Sequence, residues 1–129
     1  MGAWGNLPWE NDGAADWFGD IFDKTKLARE VEDTLKLDAE DAHEEIRAAA
    51  SLLLFLGRVY VWPVQDLDRH LALAADRLEE VSRVEVIAES PELVEEIRGE
   101  IQELRSRIKK PGTPQAPPAP PKKWWQFRK

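Results

Sequence analysis

The chain is predicted to be all-α, a compact bundle of four to five helices with an irregular Trp-rich strap at its amino end and a Pro-rich tail at its carboxyl end. Three observations predict this. Apolar residues recur at three- and four-residue spacing from Ala14 to Ile108, the period of a helix face. Residues that favour helix starts precede these stripes, at Asn11 or Asp12, at Asp38 and at Ser90. The one β-favouring run, Arg58 to Gln65, contains Pro63, which a central strand does not tolerate.

Residues 1–11 mix Gly2, Gly5 and Pro8 with Trp4, Leu7 and Trp9, a composition that suits irregular backbone strapped over a helix. Asn11 or Asp12 then caps a first helix whose apolar positions are Ala14, Trp17, Phe18, Ile21 and Phe22, so Trp17 and Phe18 are expected to pack inward. Thr25 is expected to cap a second, short helix with Leu27, Ala28, Val31 and Leu35 inside. Asp38 caps a third, ending at Gly57; its second half is apolar nearly all round, which predicts the central, most buried helix. Residues 58–65 read as a packed crossover loop. Asp66 starts a fourth helix with Leu67, Leu71, Ala74, Leu78 and Val81 on one face. Ser90-Pro91-Glu92 opens a fifth: a cap, a proline in the first turn, and an acid against the positive helix end.

Charge divides the chain. Residues 1–110 carry a net charge of −11 and residues 111–129 carry +4, because every acid precedes residue 104. A body this acidic argues against nucleic acid, whose phosphates need a basic face, and suits a basic partner. There is no cysteine, so disulfides, thiolate metal sites and cysteine nucleophiles are excluded. No basic start followed by an apolar core marks a signal peptide. The most apolar run, Ala48 to Leu56, falls far short of the roughly 20 residues that span a bilayer. Asn6 stands where a myristoylation motif wants Ser or Thr. A cytoplasmic protein, at most peripheral at the inner membrane face, is the expectation.

The opening Met1-Gly2-Ala3-Trp4-Gly5, then Glu10-Asn11-Asp12 and Ala14-Ala15-Asp16-Trp17, resembles a bacterial family called domain of unknown function 4259. Its members open with Met-Gly-x-Trp-Gly and continue with Asn-Asp-x-Ala-x-Asp-Trp/Phe. The alanine-rich stretch from Ala48 to Leu53 and the Ser-Pro-Glu-Leu step at Ser90 to Leu93 are similar too, so the resemblance covers about residues 1–108. It implies the helical fold, and it brings no catalytic residue.

The residues of the amino-terminal element, Gly2, Trp4, Gly5, Asn11, Asp12, Asp16 and Trp17, read as a structural motif: caps and anchors, with tryptophans packed against a glycine-rich strap. The competing reading makes Asp12, Asp16 and Trp17 an enzyme site of unfamiliar type. His43 lacks the second histidine of a zinc helix. Asp66 and His70 are four apart on one helix face, a spacing that suits a surface hydrogen bond or, with a third ligand, a metal. No third ligand is identifiable, and no metal, cofactor or catalytic set is assigned. Asp16, Asp20 and Asp23, like Glu92, Glu95, Glu96, Glu100 and Glu103, read as solvated faces.

Six prolines in Pro111–Pro121 make a polyproline-type tether able to reach about 34 Å. Beyond it, Lys122, Lys123, Trp124, Trp125, Phe127 and Arg128 interleave cations with aromatics, and tryptophan is an anchoring residue of interfaces. The tail is expected to bind a partner protein, to associate with its own or a neighbouring body, or to lie on an anionic membrane surface. The functional expectation is a non-enzymatic interaction protein of the immunity or accessory type, with membrane anchoring through the tail as the alternative.

Overall fold

The computed structural model describes residues 5–109, and within them the chain forms six helices and no strand. They are α1 (Asp12–Thr25), α2 (Leu27–Leu35), α3 (Ala39–Leu56), α4 (Val64–Arg83), the single turn α5 (Glu85–Ala88) and α6 (Pro91–Ser106). Five helices are long enough to have been legible as stripes; α5 is too short to show a period. No helix among the described residues is long and apolar enough to cross a membrane.

Three of the helix starts follow local capping chemistry. The side chains of Asn11, Asp38 and Ser90 accept from the backbone N–H groups of Ala14, Asp41 and Leu93, with Pro91 in the first turn of α6. Thr25 is not a cap. It closes α1, its hydroxyl donating to the Ile21 carbonyl, and Lys26 serves as the joint in left-handed backbone at φ 54°. α4 begins at Val64, two residues ahead of Asp66, which lies in its first turn. Gly57 ends α3 at φ −79°, so close approach, not left-handed freedom, demands glycine there: a β-carbon would collide with the Leu53 carbonyl oxygen.

The central helix is α4, not α3. It touches α2, α3, α5 and α6 and buries Leu67, His70, Leu71, Ala74, Ala75, Leu78 and Val81. Ala74 and Ala75 let neighbouring backbones approach, and Leu71 and Leu78 fill the seam. The apolar girth of α3 misleads because its last turn reaches the end of the bundle, where Phe55 is 67 % exposed. α3 and α6 run in the same direction. The Arg47 guanidinium grips the Glu100 carboxylate at 3.1 and 2.6 Å, and one end further Arg107 donates to the carbonyls of Leu53, Leu54 and Gly57.

The loop 57–63 is packed as expected, burying Val61 and Trp62. Tyr60 takes φ 77° to make the turn, a conformation costly for a residue with a β-carbon. α1 lies over this loop through Phe22, whose ring stands edge-on to Trp62 at 5.0 Å, and the segment ahead of α1 does so through Trp9, under the Arg58 guanidinium at 4.7 Å. Of the α1 stripe only Phe22 is buried. Trp17 is 57 % exposed, its ring edge-on to Phe18 at 5.3 Å.

Leu71→Ala is expected to lower unfolding free energy by about 2–5 kcal/mol in urea titration. Gly57→Ala, forced against the Leu53 carbonyl, should cost about 1–3 kcal/mol.

Candidate functional site: a buried histidine brace beneath a charged cleft

His70 is the one buried polar side chain among the described residues, 1 % exposed in the middle of α4. Its Nδ1 faces the Trp62 indole at 3.1 Å, and its Nε2 faces Glu32 Oε1 at 2.9 Å. An indole N–H can only donate, so Nδ1 is the acceptor, Nε2 carries the proton, and Glu32 accepts it. The tautomer is fixed by this partner on each side. The Trp62 and His70 rings also meet edge to face at 6.0 Å. One imidazole thereby joins α4 to α2 and to the loop, and through Trp62 to Phe22 of α1.

Glu32 is the hub on the solvent side. Its Oε2 lies 2.8 Å from Lys36 Nζ and 2.9 Å from Arg69, and Arg69 reaches on to Asp66 at 2.8 Å. The Lys36 ammonium, with His70 and Arg69 behind it, holds the Glu32 carboxyl far below the usual carboxylate range, against the opposing effect of burial. Its bonds to Glu32 and then to Asp66 raise Arg69 above its ordinary value. Arg29, Glu32, Asp33, Lys36, Asp66, Arg69 and His70 line an open cleft of about 430 Å³ over this brace. Each cation in it already has a carboxylate partner. A carboxyl kept ionised so firmly is a poor proton donor or acceptor near neutrality. The arrangement is suited to holding helices together.

The expected pairing of His70 with Asp66 is therefore corrected. Asp66 bonds Arg69, and both His70 nitrogens are engaged elsewhere, so neither offers a lone pair to a metal. Among the described residues no group of three or more His, Asp or Glu is arranged to hold a metal ion. Glu32 and Trp62 were missed by sequence reasoning. The available signal was that Glu32 stands four residues after the buried Ala28, on the inward side of α2.

Of the amino-terminal motif, Gly2 and Trp4 lie outside the described residues. Asn11 is the cap, and Glu10 Oε1 accepts from the Leu7 N–H at 3.2 Å, folding back against Gly5. Asp12 Oδ1 is shielded and has no hydrogen-bond partner among the described residues, while Asp16 and Trp17 face solvent. The tail residues Lys122, Lys123, Trp124, Trp125, Phe127 and Arg128 also lie outside the described residues. His43 lines a second hollow, of about 300 Å³, with Glu40, Val84, Glu85, Val86 and Glu89. No family model, curated protein or solved structure matches the chain, so its function is read from its own residues.

Because the Glu32 pKa is lowered by folding, its bonds stabilise the native state fully above its ordinary value of about 4.5 and lose that contribution as pH falls below it. Glu32→Gln should flatten this acid limb in pH-dependent urea unfolding. Trp62→Phe, which strands the His70 acceptor in the core, should cost at least about 1–3 kcal/mol in the same measurement.

Proposed function

We propose that the chain is a non-enzymatic interaction protein whose acidic helical body receives a basic surface of a partner protein, in the manner of immunity or accessory proteins. The observation that supports this reading is the uneven use of its charges. Four arginines are committed between elements of the body: Arg47 to Glu100, Arg77 to Glu80 and to the Leu35 and Leu37 carbonyls, Arg105 to Asp76 and Glu79, and Arg107 to Glu103 and the end of α3. Glu40, Glu85 and Glu89, by contrast, ring the second hollow, and no cation is paired with them among the described residues.

That hollow also presents an aliphatic contact, since Val86 is 60 % exposed. An acidic concavity with one open apolar residue fits a lysine- or arginine-bearing segment that brings an apolar side chain with it. Charge of this kind mainly steers encounter and selects partners, and salt screens it over about 8 Å at physiological strength. The enzymatic alternative near Asp12, Asp16 and Trp17 has less in its favour, because Asp16 and Trp17 point to solvent and both hollows described above are lined by other residues.

Full-length tagged protein, crosslinked in cells and recovered, should retain a specific basic partner. Recovery should fall in the triple variant Glu40→Gln, Glu85→Gln, Glu89→Gln and in high salt. Absence of a specific partner, or one recovered equally by the triple variant, overturns the proposal.

A further inference from the structure

We infer that the carboxyl-terminal segment Lys122–Lys129 docks on its own body, across the outer face of α1 and the corner where α3 turns into α4. This surface is separate from the acidic hollow and does not depend on it.

The exposed large hydrophobics are unevenly placed. Leu7, Trp17, Phe55, Val59 and Val64 are all open to solvent, and Phe55, Val59 and Val64 lie within or beside the loop 57–63. Phe55 closes α3, Val59 lies within the loop, and Val64 opens α4. Leu7 and Trp17 belong to the segment that lies over that loop through the Arg58–Trp9 and Phe22–Trp62 contacts. Single exposed apolar residues are ordinary, but several gathered about one loop mark a surface that something covers. The face also has an anionic edge. Asp16, Asp20 and Asp23 line the exposed side of α1, and Trp17 stands one turn from Asp20.

The segment Lys-Lys-Trp-Trp-Gln-Phe-Arg-Lys has the complementary pattern, three aromatics between pairs of cations. The point at which the chain leaves the body favours the same surface. Arg107 donates to the Leu53, Leu54 and Gly57 carbonyls at 3.0, 3.1 and 3.3 Å, so Lys109 lies near the end of α3 that carries Phe55. Residues 110–121 separate it from Lys122. A flexible chain of that length spans roughly 17–21 Å and a polyproline-type one about 37 Å. Gly57, which Arg107 reaches, adjoins Arg58, and Arg58 lies over Trp9 just ahead of α1, so the start of α1 falls within this reach. A tether so short holds its load at about millimolar effective concentration. Modest contacts are then enough, and the chain's own body outcompetes a second copy in dilute solution.

The chain has no cysteine, so a single spin label can be placed at Gln126→Cys in the otherwise intact protein. In dilute solution, amide signals of residues 16–23 and 55–64 are expected to lose intensity. They should recover when Trp124→Ala and Trp125→Ala are added, substitutions that leave the helical body untouched. Asp16→Asn with Asp20→Asn should weaken the loss, and the Glu40, Glu85, Glu89 triple variant should not. Loss spread evenly, centred on residues 85–89, or growing with protein concentration overturns docking on the chain's own α1 face. So does a label that broadens nothing while the protein floats with phosphatidylserine vesicles, which would assign the segment to lipid.

Discussion

The hydrogen bond from the Trp62 indole to His70 Nδ1 is the constraint on which the rest of the bundle depends. A tryptophan can be buried this deeply only if its N–H finds an acceptor, and a histidine only if both nitrogens are satisfied. Here each solves the other's problem, and Glu32 completes the set from α2. To reach the site the loop must turn sharply, and the positive φ of Tyr60 is the strain that results. α1 then has a surface to rest on, because Phe22 packs against the ring that the network has fixed. A fully satisfied polar network inside a small helical core favours one packing arrangement over its neighbours, since slipping α4 by one residue would strand the His70 and Trp62 side chains.

Arginine plays a second structural part. Arg77 donates to the carbonyls of Leu35, the last residue of α2, and of Leu37 just past it, and Arg107 to those at the end of α3. Helix ends leave carbonyls unpaired and carry partial negative charge, so a guanidinium arriving from another helix both caps them and ties the two elements. This use withdraws cations from the surface. The net charge of the body is therefore expressed outward as carboxylates, among them those where α5 meets the start of α3, along the exposed side of α1 and along α6. The acidity of the surface and the stability of the helix ends arise from the same choice of residues.

Much of the fold was legible because its signals are local. Asn11, Asp38 and Ser90 cap the helices they precede, and the Leu67–Val81 stripe is buried at each of its positions. Trp17 shows where local signals stop. Its spacing from Phe18, Ile21 and Phe22 suited an inward stripe, but α1 has too few neighbours to cover so wide a face, and the indole is left outside. α3 misled for the same reason: Phe55 continues an apolar helix past the point where other helices are there to receive it. The candidate site was half legible. His70 was singled out, but with Asp66, its neighbour along the helix, instead of Glu32 and Trp62.

By itself the sequence determined the helices, most of their ends, and the segregation of acid from base along the chain, because periodicity, capping and charge are properties of residues a few positions apart. Tertiary structure decided that α4 is the central helix, which apolar faces remain open, and that a histidine belongs in the core. Those outcomes depend on which helices flank a surface and on partners 8 and 38 residues from His70. Whether a polar side chain can be buried is settled by the donor or acceptor that packing brings to it, and no local pattern around His70 carries that information.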